Sequence, residues 1–217
     1  MRLLFPTIIH EFKLDNFKFI KDDLINFVYQ EREKDPKGVI LSNRGGWQSR
    51  NYYDNYDNIL CSIVKKAITD YFMDGVLKKN THIVMDGLWI NINGKGHANE
   101  VHSHPNCNLA GVMWIKTGDL KFDTHPNGQT SAGDIEFLSP HHYTSAAEYL
   151  RYEDEFSRKW NHWPAYWIPP EEGKMLIFPA SLMHKVHANE QDQDRISVSF
   201  NLHLPNDIMS NIHIFKT

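Results

Sequence analysis

The hydrophobic pattern divides the chain into a helical part and a β-rich part. Up to about residue 80, apolar residues recur three or four positions apart, which places them on one face of an α-helix. The first stripe comprises Phe17, Ile20, Leu24, Phe27 and Val28, and a second runs through residues 56–74. We therefore predict two amphipathic helices, preceded by a short strand over Leu3–Phe12.

From Thr81 onward, short apolar runs bounded by glycine and proline predict strands instead. The predicted strands are Ile83–Asn93, Leu109–Lys116, Leu120–Asp123, Tyr166–Ile168, Lys174–Phe178 and Arg195–Leu204. The pattern is typical of a mainly β protein with flanking helices, an α+β fold. We expect one domain over residues 1–217, with helical support over 1–80 and a β core over 81–205.

A long aromatic-rich connection, at about residues 127–164, interrupts the predicted β core. Connections of this length in a compact domain are commonly functional. We expect this segment to be a lid or a substrate-facing insertion.

Two of the predicted strands alternate polar and apolar residues. The strand Arg195–His203 places its arginine, two serines, asparagine and histidine on one face, and only apolar residues on the other. In the earlier strand, Asn91 and Asn93 share a polar face. Such a face either meets solvent on one side of an antiparallel sheet or lines an interior that holds a polar ligand.

Composition and charge argue against several classes of function. The net charge of −4 and the pI near 6.3 give no general attraction for nucleic acid or anionic membranes. No apolar run approaches the roughly 18–20 residues that cross a bilayer, and the N-terminus lacks the apolar core of a signal peptide. Cys61 and Cys107 form no paired motif, so we expect reduced thiols in a cytoplasmic protein.

The candidate chemistry begins with His97, His102 and His104, three histidines within eight residues. In an extended segment alternate side chains face the same way, so His102 and His104 share a side. Imidazole pairs of this kind bind iron, zinc, copper or nickel. Histidine is abundant in this chain, at 13 of 217 residues, so the pair needs a third ligand from elsewhere.

His184 supplies that candidate, in the turn after the predicted strand Lys174–Phe178, and Arg195 follows eleven residues later. This order, with the H-x-H-P-N run at 102–106, resembles the iron(II)- and 2-oxoglutarate-dependent oxygenases. That family carries an H-x-(D/E) pair, a distant histidine, and an arginine or lysine about ten residues after it. In finer detail the chain resembles a branch related to the prolyl hydroxylases. The resemblance covers roughly Trp89 to Leu204.

The resemblance implies a double-stranded β-helix core, jelly-roll or cupin-like, with the N-terminal helices packed on one sheet. It also implies Fe(II) and 2-oxoglutarate as cofactors and O2 as co-substrate. The implied metal ligands and catalytic residues are His102, His104 and His184. Arg195 would bind the far carboxylate of 2-oxoglutarate through its planar fork of N–H groups.

Three further residues are candidate cofactor contacts. Ser197 lies two residues beyond Arg195 on the same face, and the strand of Asn91 and Asn93 precedes the H-x-H segment. Alternatively, Arg195 only pairs with Asp192 or Asp194 at the surface, and the two asparagines only pair their amides in the core.

One position departs from the family pattern, because the usual second ligand is Asp or Glu and this chain has His104. Three neutral imidazoles would bind the metal, or a carboxylate such as Asp123 or Glu100 would complete the site, or the site would bind metal without turnover. Neutral imidazoles leave Fe(II) and the 2-oxoglutarate dianion with zero formal charge, which lowers the cost of burial. His97 is a candidate partner of a ligating histidine.

We therefore predict a dioxygenase that hydroxylates a C–H bond of an unknown substrate, with a protein or peptide side chain such as proline implied by the resemblance. The alternatives are a cupin-like three-histidine metalloprotein that does not use 2-oxoglutarate, and a non-catalytic binding protein on the same fold. The charge predicts no nucleic-acid or membrane partner. The sequence indicates neither the substrate, small molecule or peptide, nor the oligomeric state.

Overall fold

The fold consists of two antiparallel sheets, and two helices pack on the outer face of one of them. The computed structural model describes residues 6–52, 57–73, 76–77, 81–118, 130, 132–140, 153–160 and 163–205. The helices are α1 (Lys21–Lys34), α2 (Ile59–Ala67), which continues as a π-helical turn over Ile68–Met73, and α3 (Asp154–Trp160). No helix in these described ranges is long and apolar enough to cross a membrane.

Eleven strands in the described ranges form the two sheets. They are β1 (His10–Lys13), β2 (Asn43–Arg44), β3 (Trp47–Gln48), β4 (Val84–Asn93), β5 (Ala98–His102), β6 (Leu109–Lys116), β7 (Ile135–Leu138), β8 (Ala165–Ile168), β9 (Lys174–Pro179), β10 (His184–Val186) and β11 (Arg195–His203). The six-stranded sheet has the order β1-β9-β6-β11-β4-β3, and the five-stranded sheet has the order β2-β5-β10-β7-β8. This arrangement confirms the predicted mainly β fold with flanking helices.

The six-stranded sheet buries both of its faces, and each face has a different partner. On the outer face, Ile90 and Val198 join one apolar core with Leu24 of α1 and Leu60 of α2. On the inner face, residues such as Trp114 and Phe178 form a second core with Ile135, Phe137 and Ile168 of the five-stranded sheet. The alternation of β11 follows from this arrangement, because its apolar side chains meet the helices and its polar side chains face the opposite sheet.

The structure places a strand within the predicted insertion. Within residues 127–164, β7 pairs with β8 on one side and β10 on the other, so it is an interior strand of the five-stranded sheet. Its four residues are too few to show a clear period, and their burial comes from pairing with distant strands. Residues 127–129, 131, 141–152 and 161–162 of the insertion lie outside the described residues, as does the predicted strand Leu120–Asp123.

The segment 39–52 connects the two sheets. β2 pairs with β5 in the five-stranded sheet, and β3 pairs with β4 in the six-stranded sheet. Gly45 and Gly46 lie between these strands with φ of +69° and +72°, a conformation that favours glycine. The segment therefore forms part of the wall between the sheets rather than a free surface loop.

Candidate metal centre

A cavity of about 320 Å³ lies between the two sheets. Strand β11 contributes Arg195, Ser197, Ser199 and Asn201 to its lining, so the polar face of this strand points into the interior. The histidines at 102, 104 and 184 line the same cavity. Of the two readings of the alternating strand, the interior one is therefore correct for these four residues.

The three candidate ligands converge although 80 residues separate His104 from His184. His102 ends β5 and His184 begins β10, and the two residues are direct partners in the sheet. His104 lies in the turn that follows β5, where its backbone N–H donates to the carbonyl of Ala180 at 2.8 Å. One ring nitrogen of each histidine lies within 4.8 Å of the other two, which is close enough for one metal ion.

Each of the three rings has an oxygen acceptor at Nδ1. His102 Nδ1 lies 2.6 Å from the Glu100 carbonyl, and His184 Nδ1 lies 2.9 Å from the Leu182 carbonyl. A carbonyl oxygen can only accept, so both rings carry their proton on Nδ1 and present an Nε2 lone pair. His104 Nδ1 lies 2.9 Å from Oδ1 of Asn201. Histidines that bind metals usually donate their second nitrogen in this way.

Burial keeps these imidazoles neutral. It lowers the pKa of His184 to about 3 and that of His104 to about 4, with a further lowering from His102, and it also lowers the pKa of His102. Nε2 of His104 and Nε2 of His184 are 3.4 Å apart. Lone pairs on both nitrogens are close enough to bind the same cation. The donor set therefore fits a divalent transition metal that accepts imidazole ligands.

At another part of the same cavity, Arg195 is a buried cation with an unused donor. The residue is 2% exposed, and its Nη1 donates to the carbonyls of Gly133 at 2.6 Å and His187 at 3.3 Å. Its Nε has no hydrogen-bond partner among the described residues. Burial lowers the pKa of Arg195 to about 10, with Asp134 acting in the opposite direction, so the side chain remains charged at neutral pH. A buried cation with a free N–H fits an anionic ligand.

The other sequence candidates lie in different places. Ser197 and Asn91 line the cavity and are direct partners between β11 and β4. The Asn91 amide nitrogen donates to Ser199 Oγ at 3.2 Å, and the amide oxygen has no partner in the part of the chain that the structure describes. Asn93 is buried but is not among the residues that line the cavity. The structure therefore brings Asn91 and Ser197 to the cavity and leaves Asn93 outside it.

The alternative that Arg195 only pairs with an aspartate at the surface is wrong. Asp192 pairs with Lys95, and Asp194 accepts a hydrogen bond from Tyr29. Glu100 is also excluded as a metal ligand, since its exposed carboxylate pairs with Arg44. Asp123 lies outside the described residues.

His97 does not support any of the three candidate ligands. Its Nδ1 accepts a hydrogen bond from the Gly94 N–H in the turn between β4 and β5.

Sequence reasoning missed three contributors to the cavity. Trp89 lines the cavity, and its ring stacks on His104 with centroids 5.7 Å apart. The sequence pattern places Asn201 on a polar face and gives no sign of its contact with His104. Leu41, Ser42, Gln48 and Asn51 of the segment 39–52 form part of the wall. The alternation of β4 could have predicted that Trp89 shares the face of Asn91. No pattern in the neighbouring sequence indicates the role of the other residues.

Comparison with known proteins gives one family match and several similar structures. The model of a family described as "Putative 2OG-Fe(II) oxygenase" matches residues 87–201. A comparison with curated protein sequences finds no match. Among solved structures, the chain is similar to a prolyl-4-hydroxylase from Pseudomonas putida, with a TM-score of 0.56 at 10% identity over 92% of this chain and 94% of that one.

Two further structures share the fold. HygX from Streptomyces hygroscopicus, solved with nickel and 2-oxoglutarate bound, has a TM-score of 0.57 at 11% identity over 91% of this chain and 83% of its own. A prolyl hydroxylase from Trichoplax adhaerens, in complex with a hypoxia inducible factor peptide fragment, has a TM-score of 0.56 at 12% identity over 96% and 87%. At these identities the likeness establishes the jelly-roll fold alone.

The family match spans more than half of the chain and includes all three histidines and Arg195. It agrees with the fold and with the resemblance seen in the sequence. This chain belongs to the 2OG-Fe(II) oxygenase family.

Proposed function

We propose that this protein uses iron(II), 2-oxoglutarate and O2 to hydroxylate a C–H bond of an organic substrate. One observation carries the proposal: a single cavity contains both a convergent set of neutral imidazole lone pairs and a buried guanidinium with an unused N–H. The first group fits a metal ion, and the second fits a carboxylate. A 2-oxoglutarate molecule needs both, because it chelates iron at one end and carries a free carboxylate at the other.

His102, His104 and His184 would hold the iron through Nε2. Three protein ligands leave other coordination positions open, which an oxygenase needs. When bound, iron and 2-oxoglutarate together supply the reducing equivalents that activate O2 for C–H oxidation. The chain itself contributes the orientation of the three rings, through an acceptor at every Nδ1.

Arg195 would bind the distal carboxylate of 2-oxoglutarate. The two carbonyls that accept from Nη1 fix the guanidinium, and its free Nε provides an N–H for the ligand. Ser197 can add a hydroxyl donor from the same face of β11, and the unpaired end of the Asn91 amide lies across from it. Water exclusion at this buried position strengthens the ion pair.

The substrate we propose to test first is a peptidyl proline. Prolyl hydroxylases are among the structures with the same fold, and this analogy is the only support for the choice. Among the lining residues that the structure describes, Arg195 carries the only full charge. If 2-oxoglutarate neutralises it, an uncharged substrate side chain fits the rest of the cavity.

A three-histidine metalloprotein that does not use 2-oxoglutarate is the second candidate. The absence of a carboxylate from the described histidine cluster favours it. The buried, partly unpaired Arg195 favours the oxygenase instead, because a metal site without 2-oxoglutarate has no use for this cation.

The decisive experiment is an anaerobic titration of the iron(II)-loaded protein with 2-oxoglutarate, followed by the metal-to-ligand charge-transfer absorption in the visible. We expect the band in the wild-type protein and its complete loss in His184→Ala, since that variant removes one of the three ligands. His203→Ala is the matched control, because its ring lies on the same strand as Arg195 but pairs with Asp86.

The titration separates the two candidates. No band in the iron-loaded wild-type protein would exclude 2-oxoglutarate chelation and leave the simpler metalloprotein. A band that survives in His184→Ala would show that iron binds elsewhere. Formation of succinate in air, stimulated by a proline-containing peptide, would extend the result to turnover.

A further inference from the structure

His104 is held differently from the other two candidate ligands. His102 and His184 lie on paired strands, and each donates from Nδ1 to a backbone carbonyl two residues before it. Those acceptors are present whatever the local sequence is. His104 lies in a turn beyond the strand, and its Nδ1 meets a side chain, Asn201, that is 97 residues away. Its orientation therefore depends on one replaceable residue.

Asn201 reaches His104 from the opposite sheet. It lies near the end of β11, on the cavity face that also carries Ser199 and Ser197, and its Oδ1 is 2.9 Å from His104 Nδ1. Trp89 of the neighbouring strand β4 stacks on the His104 ring at an interplanar angle of 26°. The indole restricts the plane of the imidazole, and the amide selects its rotation within that plane.

Two proton arrangements are compatible with these positions, because an asparagine amide can present either its oxygen or its nitrogen. With the oxygen toward His104, the proton lies on Nδ1 and Nε2 offers a lone pair. With the amide reversed, Nε2 carries the proton and would have to donate it to His184 Nε2. That nitrogen is 3.4 Å away, longer than the usual range for an N–H donor. The second arrangement therefore depends on a long hydrogen bond to His184, whereas the first depends only on the 2.9 Å contact with Asn201.

We infer that Asn201 is a positioning residue that holds His104 in the Nδ1-protonated tautomer and so directs its Nε2 lone pair toward those of His102 and His184. His104 occupies the position where the family pattern has a carboxylate, which needs no tautomer to be chosen. An imidazole at this position has two neutral tautomers, and Asn201 selects the one that is protonated at Nδ1. The importance of this tautomer for metal binding rests on the proposed function, whereas the tautomer itself is a property of the metal-free protein.

The test begins with the metal-free wild-type protein. Long-range nitrogen–proton NMR correlations distinguish the two neutral tautomers, since a protonated ring nitrogen and a bare one have different chemical shifts. The His104 signals are assigned by their loss in His104→Gln. We expect the Nδ1–H form. Observation of the Nε2–H form in the wild-type protein would overturn the inference without any substitution at Asn201.

The second part compares variants of Asn201. Asn201→Leu removes the acceptor at similar volume, and Asn201→Asp keeps an acceptor oxygen in the same place. We expect Asn201→Leu to shift His104 toward the Nε2–H form and to weaken cobalt(II) binding about tenfold, the lower end of the range for partners of metal ligands. We expect Asn201→Asp to retain both the tautomer and the affinity.

Ser199→Ala is the matched control, since it changes another polar residue on the same face of β11 and leaves the His104 contact intact. Thermal unfolding of every variant checks that the fold persists. Equal cobalt(II) affinity in Asn201→Leu and the wild-type protein would overturn the positioning role. A normal tautomer shift with no cobalt(II) binding in any variant would overturn the proposed function instead and leave the assignment of Asn201 intact.

Discussion

The histidine cluster and Arg195, two regions of one cavity, respond to burial with opposite chemistry. Burial lowers the pKa of His184 to about 3 and of His104 to about 4, so these groups are neutral acceptors. Burial also lowers the pKa of Arg195, but only to about 10, so this group remains a charged donor. The same environment thus yields lone pairs in one region and N–H groups in the other. The type of residue, rather than a difference in exposure, polarises the cavity.

Replacing Arg195 with an uncharged residue should have the largest effect on the affinity of the cavity for 2-oxoglutarate. We expect Arg195→Met to raise the Kd of 2-oxoglutarate about a hundredfold, about 2.7 kcal/mol, which lies within the range for hydrogen bonds to charged groups. Calorimetry on iron(II)-loaded protein without oxygen measures the change. Cobalt(II) affinity should stay the same, because the three histidines are untouched.

Arg195→Lys tests whether charge alone suffices. We expect it to recover only part of the affinity, since lysine keeps a charge but lacks the planar fork. If Arg195→Met binds 2-oxoglutarate as tightly as the wild-type protein, the carboxylate role is wrong and the three-histidine metalloprotein becomes the better reading.

The histidines should make the metal-free protein less stable in mild acid. The unfolded chain takes up protons near the ordinary imidazole pKa of 6.5, whereas folded His104 and His184 do so only near 4 and 3. Between these values the unfolded state binds more protons, so the free energy of unfolding falls as pH falls. From pH 6.5 to about pH 5 the loss should be at most about 2 kcal/mol for each histidine. Urea unfolding at the two pH values measures it.

The double variant His104→Gln/His184→Gln provides the comparison for this pH dependence. Glutamine does not titrate, so the difference between the two pH values should shrink in the variant. An unchanged pH dependence would mean that the folded imidazoles have ordinary pKa values and are not neutralised by burial.

The smallest expected effect concerns the support beneath Arg195. Gly133 has a φ of +82°, and a Cβ at this position would lie 2.1 Å from Arg195 Nη1. We expect Gly133→Ala to displace the guanidinium and raise the Kd of 2-oxoglutarate about tenfold, about 1.4 kcal/mol. Gly96→Ala is a close control, because Gly96 has a φ of +79° and no heavy atom of the described residues lies within 4 Å of the added Cβ.

The two alanine variants separate backbone strain from the clash. Both place alanine in the left-handed region, at a cost of roughly 1–2 kcal/mol in stability. Only Gly133→Ala should change the binding of 2-oxoglutarate. Equal loss of binding in the two variants would contradict the supporting role of Gly133.

The sequence predicted those parts of the cavity that depend on local periodicity. The alternation of β11 put Arg195 and Ser197 on one face whatever the sheet packed against, and the spacing of His102 and His104 put them on one side of a chain segment. Imidazole and guanidinium are also chemically distinctive, so their presence carried information. The alternation did not show whether the polar face contacts solvent or lies inside the fold, because that depends on the opposite sheet.

The parts that the sequence missed are made by contacts across long separations. β7 has four residues and β2 and β3 have two each, so none of them shows a period, and distant strands define them. The role of Asn201 depends on the packing of the two sheets, which places its Oδ1 2.9 Å from His104 Nδ1. An asparagine on a polar face has no local feature that distinguishes this role from simple hydration.

The crossing of segment 39–52 between the sheets has a consequence for how the cavity can change during evolution. β2 and β3 anchor this segment to opposite sheets, while Leu41, beside the cavity, is 75% exposed. Exposed positions contribute little to folding stability, so they tolerate substitution. Substitution of Leu41 would therefore change the surroundings of the cavity while both anchoring strands stay in place.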